Sequence, residues 1–256
     1  MKKGVVLKEE KERQNRLARS KYLAHRSFAM RCLLARQNSF IYDHISPDQS
    51  ILEIGCGVGD FLSFALQKGI RRVVGIDVSE QCVAFANERL KKEGFPSVAQ
   101  VGDVYRLSES IDERAAFDSV IMRGIVHHLE YPAAAFRNVL RVMKSGGTLV
   151  ILEGNTAGLY RKTVLAIADL LKITHEASQF SHRSPAFITD TLKKVGFCRI
   201  LSYFIPTAFA PFAYQGLGGP FFWRIAEIFD DKIFSRVGHG FFNWWVLLVA
   251  TKPGCG

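Results

Sequence analysis

The sequence predicts an α/β fold, in which a mostly parallel, seven-stranded sheet carries helices on both faces. From residue 50 onward, short apolar runs rich in β-branched residues alternate with helix-length segments, which is typical of strand–helix–strand crossovers. Residues typical of helix starts and stops lie at the two ends of these helix-length segments. With 256 residues, 48% of them hydrophobic, the chain is long enough to bury the core of one large domain.

The elements follow one another in a regular order. Strands are predicted at residues 50–54, 72–76, 98–101, 117–122, 148–152, 198–204 and 244–251, and helices at 60–68, 80–93, 132–143 and 185–195. Ser79 is a typical N-cap for the second of these helices, Gly94 is a typical stop, and Pro132 is typical of a first helical residue.

Two insertions interrupt this order, at about 154–184 after the fifth strand and at 205–239 after the sixth. Open α/β sheets bind their ligands at the carboxyl ends of the strands. We therefore expect both insertions to shape the ligand site.

The first 45 residues are predicted to form a basic, helical extension of a domain that spans 46–256. Lysines and arginines outnumber acidic residues between residues 2 and 36, and apolar residues recur there roughly at helical spacing. This spacing favours docking onto the domain. An arm that binds nucleic acid and a helix that lies on a membrane surface stay open as alternatives, because the net charge of +10 attracts any anionic partner.

The five cysteines are scattered without a CxxC pair, and no secretory signal opens the chain. We therefore expect a reduced, cytoplasmic setting without a metal site. A peripheral contact with the inner face of a membrane stays open, and so does the oligomeric state.

Residues 51–59, with the sequence ILEIGCGVG, form an apolar strand that ends in a GxGxG turn. Glycines in such a turn let a ligand approach the backbone more closely than any Cβ permits. Asp77 follows the next strand, where a carboxylate can accept hydrogen bonds from the two vicinal hydroxyls of a ribose. Both features also suit NAD, so by themselves they do not identify the nucleotide.

Three further motifs follow on the next three strands: VGDV at 101–104, FDSVIM at 117–122 with VHHL at 126–129, and LRVMKSGGTLV at 140–150. With the glycine loop and Asp77 they make five motifs in order, between about residues 50 and 154. This series resembles the class I S-adenosylmethionine (SAM)-dependent methyltransferases, in particular those of ubiquinone and menaquinone biosynthesis and of natural products.

The resemblance implies a Rossmann-like fold and SAM as cofactor. By it, Gly55, Cys56 and Gly57 line the methionine part of SAM, and Glu53 anchors the glycine loop. Asp103 accepts from the adenine amino group, and the amide of Val104 faces the ring. The full set of residues expected to bind the cofactor is Glu53, Gly55, Cys56, Gly57, Gly59, Asp77, Val78, Gly102, Asp103, Val104 and Arg123.

Methyl transfer to a hydroxyl also requires removal of its proton. His127 and His128 are the candidate catalytic bases, since they follow the fourth strand and histidine titrates near neutrality. Packing or hydrogen bonding at the helix start is their alternative role. Further candidates, at a strand end or in an insertion, are Glu153, His175 and His182. The imidazoles of His25 and His44 are expected to be structural.

Residues 200–223 contain no charged residue and eight aromatic ones, but prolines and glycines interrupt the segment too often for a membrane-spanning helix. They predict an irregular aromatic lid over an apolar acceptor, with core packing as the alternative. Motifs typical of methyltransferases that act on nucleic-acid bases are missing, which argues against nucleic acid as the acceptor.

The expected function is therefore SAM-dependent methyl transfer to an oxygen, nitrogen or carbon atom of a small or lipid-like apolar acceptor. Two alternatives stay open. One is an RNA or protein methyltransferase that uses the basic N-terminal segment, and the other is a noncatalytic SAM-binding protein.

Overall fold

The computed structural model describes residues 3–111, 116–170, 183–205, 207–234 and 243–254. Within them, seven strands pair into one sheet in the order β3-β2-β1-β4-β5-β7-β6, and only β7 runs antiparallel to its neighbours. The strands are β1 (Ser50–Ile54), β2 (Arg72–Asp77), β3 (Ala99–Val101), β4 (Phe117–Arg123), β5 (Met143–Gly154), β6 (Cys198–Ile205) and β7 (Trp245–Thr251). The α/β fold with a seven-stranded, mostly parallel sheet is confirmed.

Ten α-helices lie in the described part of the chain. They are α1 (Lys3–Ala24), α2 (Phe28–Tyr42), α3 (Asp60–Gln67), α4 (Glu80–Lys92), α5 (Leu107–Ser110), α6 (Pro132–Val142), α7 (Leu159–Leu170), α8 (Pro185–Val195), α9 (Ala210–Tyr214) and α10 (Pro220–Phe229). Ser79 caps α4 as expected, because its hydroxyl accepts a hydrogen bond of 3.0 Å from the amide of Cys82.

The core lies on both faces of the sheet, because successive side chains of each strand point to opposite faces. Leu52 packs with Phe136 in a cluster formed by α6, α8 and one face of the sheet. Its neighbour Ile51 packs with Phe61 in a second cluster formed by α2, α3, α4 and the other face. Helices therefore cover both faces, as the strand–helix alternation predicted.

The start of β5 differs from the sequence prediction. Met143 already pairs with Phe117, and Thr148 pairs with Ser119, so residues 144–147 bulge between these two pairs. Gly146 has a φ of +74°, and a Cβ on Gly147 would lie 2.9 Å from the carbonyl oxygen of Lys144. The glycines thus make the bulge possible where the sequence indicated a turn before the strand.

The basic N-terminal segment forms α1 and α2, and α1 packs along α4. Ala18 is fully buried against Val58 and Cys82, and the ring of Tyr22 stacks on Phe85 with centroids 4.8 Å apart. Ser27 accepts from the amide of Met30 and begins α2, which separates the two helices. The segment is therefore docked onto the domain.

The expectation of an irregular segment after β6 is wrong for its described part. Residues 210–214 and 220–229 form α9 and α10, and each has a proline in its first turn, where no intrahelical N–H partner is needed. The ring of Phe209 packs edge-to-face on Phe222, and Trp223 is buried against α2. Core packing, the alternative prediction, therefore describes these side chains, while residues 206 and 235–242 lie outside the described residues.

None of the described helices is both long and apolar enough to cross a bilayer.

Candidate functional site

A cavity of about 730 Å³ opens at the carboxyl ends of β1, β2, β3 and β4. This is the edge at which open α/β sheets bind ligands, and the volume is in the range of small-molecule sites. Nine of the eleven residues assigned to SAM from the sequence line the cavity, namely Gly55, Cys56, Gly57, Asp77, Val78, Gly102, Asp103, Val104 and Arg123. Glu53 and Gly59 are not among the described residues of its wall.

Backbone hydrogen bonds hold the glycine loop between β1 and α3 in place. The amides of Gly55 and Cys56 donate to the carbonyl oxygen of Ile76 at 2.8 and 2.9 Å. Gly57 has a φ of +52°, and a Cβ built on it meets no protein atom within 4 Å. Its backbone therefore faces open space of the cavity, which a side chain would fill and a ligand can approach closely. This feature fits the methionine part of SAM.

Gly59 corrects one sequence-based assignment. It has a φ of +76° and stands at the N-cap of α3, where a Cβ would come within 2.8 Å of the Cβ of Ala86 on α4. Glycine is needed here because two helices meet closely. Gly59 therefore supports the loop at its contact with α4, and it is not among the described residues of the cavity wall.

Asp77, at the end of β2, lines the cavity and also binds the backbone of the glycine loop. Its Oδ2 accepts from the amide of Gly57 and its Oδ1 from the amide of Ser79, both at 2.9 Å. Burial raises the pKa of Asp77, while these two amides and the ammonium of Lys21 act to lower it. Each carboxylate oxygen can accept a second hydrogen bond, so Asp77 can also bind the hydroxyls of a ribose.

Asp103 stands after β3, at the far end of the same wall. It caps the short 3-10 turn of residues 104–106, where its Oδ1 accepts from the amide of Tyr105 at 2.8 Å. Because a carboxylate has further acceptor capacity, Asp103 can also receive an amino group. With Gly102 and Val104 beside it in the wall, it fits the adenine end of SAM.

A buried charge cluster lies where the loop meets β4. Arg123 lines the cavity and donates to Oδ2 of Asp60 at 2.9 Å and to Oδ1 of Asn38 at 2.8 Å. Glu53 lies 3.8 Å from Arg123 and is fully buried, and neither of its oxygens has a hydrogen-bond partner among the described residues. Burial raises the pKa of Glu53 to about 8, although the Arg123 charge opposes the rise.

The role assigned to Glu53 from the resemblance is therefore not the one seen. Glu53 makes no hydrogen bond to the glycine loop, which Asp77 and Ile76 hold instead. Sequence reasoning did not single out Asp60 and Asn38, the two partners of Arg123. The acidic residue in the first turn after GxGxG was the available signal for Asp60.

The first candidate base, His127, faces away from the site. Its Nδ1 lies 2.8 Å from Oε2 of Glu153, whose Oε1 accepts from the amide of Val126 at 2.6 Å. His127 is not among the described residues that line the cavity. Together, His127 and Glu153 stabilise the turn that follows β4. The structure thus supports the alternative role, hydrogen bonding at the helix start, for His127.

His128 does line the cavity, but the contact of its Nδ1 limits its chemistry. This nitrogen lies 3.1 Å from the guanidinium of Arg13, which can only donate, and 3.4 Å from a carboxylate oxygen of Glu10. The shorter contact favours Nδ1 as the acceptor, with the proton of the neutral ring on Nε2. Burial and the neighbouring His127 lower the pKa of His128 to about 3. The ring is therefore neutral at pH 7 and is placed as a hydrogen-bond donor, not as a base.

Of the remaining histidines, one expected to be structural lines the cavity and the other makes the structural contact expected. His25 was assigned a structural role, yet it lines the cavity at the break between α1 and α2. Burial, opposed by the charge of Asp60, lowers its pKa to about 4 and keeps it neutral. His44 packs with its ring centroid 4.7 Å from that of Tyr203, a structural contact. His175 and His182 lie outside the described residues.

The rest of the wall is an apolar chamber that faces away from β2 and β3. It is formed by Met30, Leu33 and Leu34 of α2, Tyr214 of α9 and Trp245 of β7. Because β7 is antiparallel, its first residue lies at the same edge as the strand ends. Sequence reasoning marked the i, i+3, i+4 spacing on α2 as a buried face but could not show that it faces a cavity.

The aromatic insertion contributes to the chamber through one of its described residues, Tyr214. Phe209 and Phe212, two of the aromatic residues of the predicted lid, are not among the described residues of the wall. They pack with Phe222 instead, with ring centroids 5.7 and 5.6 Å away.

Comparison with known proteins places the strand-and-loop part of this site in a family. Residues 52–151 match a family model described as a methyltransferase domain. A 24-methylenesterol C-methyltransferase 3 of Arabidopsis thaliana is 30% identical over 154 residues, 60% of this chain and 43% of the plant protein. A tRNA U34 carboxymethyltransferase of Shewanella sp. (strain ANA-3) is 34% identical over 115 residues, 42% of this chain and 33% of that protein. The chain thus spans less than half the length of both relatives.

A solved SAM-dependent methyltransferase from Archaeoglobus fulgidus shares the fold, with a TM-score of 0.60 and 20% identity. The match covers 86% of this chain and 93% of that one. Residues 52–151 are therefore similar to the methyltransferase domain, and the chain has the Rossmann-like fold of the class I SAM-dependent methyltransferases.

Proposed function

We propose that this protein transfers the methyl group of SAM to an oxygen, nitrogen or carbon atom of a small or lipid-like apolar acceptor. One observation carries the proposal. A single cavity contains both the nucleotide cradle around Gly57 and Asp77 and the apolar chamber formed by α2, Tyr214 and Trp245. A donor and an apolar acceptor can therefore lie side by side, as an in-line displacement requires.

Bound SAM supplies an activated methyl group on a sulfonium. The chain's own residues bind and orient: Asp77 accepts from the ribose, Asp103 from the adenine, and Gly57 lets the methionine part approach the backbone. Met30, Leu33 and Leu34 bury the apolar body of the acceptor. The neutral imidazole of His25 lines the cavity, and its Nδ1, which has no hydrogen-bond partner among the described residues, can accept a hydrogen bond from a hydroxyl or an amine of the acceptor.

We further propose a peripheral contact with the cytoplasmic face of a membrane, through the outward face of α10. Phe221 is 78% exposed, and Ile225, Ile228 and Phe229 are also exposed on this side, whereas Trp223 and Ala226 are buried on the opposite side. A surface helix that is apolar on both faces is suited to lie on lipid. The preceding helix, α9, carries Tyr214, so a lipid-like acceptor would enter the chamber beside this face.

The RNA or protein alternative depends on the basic N-terminal segment. In the structure three cations of α1 are engaged with the domain: Lys11 binds Glu80 at 2.6 Å, Arg13 contacts His128, and Lys21 lines the cavity. These side chains are therefore not presented to a phosphate backbone. This arrangement favours the apolar acceptor.

The test is a methylation screen with methyl-labelled SAM on total lipid extract, RNA and protein, each with purified enzyme. We expect label in the organic phase and formation of S-adenosylhomocysteine. Tyr214→Ala should lower transfer and leave SAM affinity unchanged, with Tyr203→Ala, outside the cavity wall, as the matched control. Label in RNA or protein would support the alternative acceptors, and SAM binding without turnover on any fraction would support a noncatalytic protein.

A further inference from the structure

One face of the N-terminal helix forms the roof of the nucleotide cradle. Gln14, Ala18, Lys21 and His25 follow one another at intervals of three or four residues, so they share this face. Ala18 packs on Val58 of the glycine loop, while the other three side chains line the cavity. Lys21, one turn beyond Ala18, therefore lies beside the loop that receives the methionine part of SAM.

Three contacts with two separate elements hold α1 over the cradle. Lys11 binds Glu80 at the start of α4, and Oδ1 of Asn15 accepts from the hydroxyl of Ser79 at 2.6 Å. Arg13 reaches His128 in the turn after β4. Because these anchors lie on both sides of the cavity, α1 bridges it.

The hydrogen-bond partner of Lys21 distinguishes it from the other cations of the wall. Of the described residues that line the cavity, three carry a permanent positive charge: Lys21, Arg106 and Arg123. Arg123 binds Asp60, and Arg106 lies 3.8 Å from Glu109. The half-buried ammonium of Lys21 instead donates to Oε1 of Gln14, a neutral amide, and its charge acts on the nearby carboxylate of Asp77 without a hydrogen bond between them.

A half-buried ammonium is most stable when an anion accepts from it. An ammonium has three donors, and the contact with Gln14 uses one of them. SAM brings a single anionic group, the carboxylate of its methionine part. Arg123, the other buried cation nearby, already balances the carboxylates of Asp60 and Glu53.

We propose that Lys21 binds the methionyl carboxylate of SAM, so that the N-terminal helix is part of the cofactor site and closes over the bound cofactor. The proposal rests on the use of SAM in the proposed function. It adds a cofactor ligand from outside the matched family segment, residues 52–151. Removal of SAM should accordingly increase the mobility of α1 more than that of the sheet.

The test compares two ligands by calorimetry, SAM and its decarboxylated analogue, which lacks only the carboxylate. Wild type should bind SAM more tightly than the analogue. Lys21→Met should lower SAM affinity by about 10- to 150-fold, the range of one charge-assisted hydrogen bond, and leave the affinity for the analogue unchanged. Lys21→Arg should retain most of the preference for SAM. Lys8→Met, an exposed lysine of the same helix, is the matched control and should have no effect.

Two results would overturn the proposal. In the first, Lys21→Met binds SAM as tightly as wild type. In the second, it weakens both ligands equally, which would show that Lys21 acts only by holding α1. A wild type that binds neither ligand would count instead against the proposed function, so the two failures are distinguishable.

Discussion

The guanidinium of Arg13 donates a hydrogen bond of 3.1 Å to Nδ1 of His128, across 115 positions of sequence. This contact joins the first helix to the turn after β4 and assigns the proton of the neutral imidazole to Nε2. A residue that its position after the fourth strand made a candidate base is thereby placed as a donor. The bond also explains why α1 belongs to the site.

The first prediction concerns the two histidines of the cavity wall. His128→Gln should lower turnover by less than about 10-fold, because glutamine can still accept from Arg13 and no proton transfer is lost. His25→Leu should lower kcat/KM by about 10-fold when the acceptor is a hydroxyl or an amine, because the variant cannot accept a hydrogen bond from it. Single-turnover kinetics with labelled SAM measures both variants, and a larger loss in His128→Gln than in His25→Leu would contradict this assignment.

The second prediction separates two glycines of the same loop. Gly57→Ala should leave the protein folded and lower SAM affinity at least about 10-fold, because its methyl group enters the cradle. Gly59→Ala should instead cost on the order of 2 to 4 kcal/mol of stability, since both the positive φ and the contact with Ala86 oppose a side chain. Denaturant unfolding and calorimetry distinguish them, and equal losses of binding and stability in both variants would contradict the assignment.

The third prediction tests the ribose site. Asp77→Ala should weaken SAM binding by about 1.5 to 3 kcal/mol, the contribution of hydrogen bonds to a charged group. The variant also loses the acceptor for the Gly57 amide, so the loop should become more mobile in the absence of ligand. Asp48→Ala, an exposed carboxylate, is the control. Unchanged SAM affinity in a folded Asp77→Ala protein would place the ribose elsewhere.

The fourth prediction is a pH dependence of stability that arises from Glu53. In the folded protein its pKa is about 8, raised from 4.5 chiefly by burial, whereas the unfolded chain releases the proton near 4.5. Between these values the folded state binds more protons, so stability should fall as pH rises, by about 1.4 kcal/mol per pH unit for one proton. Above pH 8 this contribution levels off.

Glu53→Gln mimics the protonated carboxyl and has no such titration. Relative to this variant, wild type should therefore become progressively less stable from about pH 5 to pH 8, as measured by urea unfolding in a pH series. Parallel curves for the two proteins would mean that Glu53 is ionised in the folded state and fully compensated by Arg123.

Much of the cradle could be predicted because its determinants are local. The apolar runs and helix caps indicated the order of the elements, and the carboxyl ends of adjacent parallel strands necessarily meet at one edge. Gly57, Asp77 and Asp103 each follow a strand directly, so their place at this edge follows from their position in sequence. Gly59 shares the motif but faces Ala86, because a glycine motif does not show which neighbour each glycine meets.

The sequence by itself determined the α/β fold, the glycine loop and the strand ends that line the cavity, since these depend on backbone periodicity and connection order. Only the tertiary structure decided which histidine faces the cavity. The orientations of His127 and His128 depend on Glu153 and Arg13, and Arg13 comes from a helix that the fold brings over the cradle. A side chain's hydrogen-bond partners are set by packing between distant segments, and local sequence carries no record of that packing.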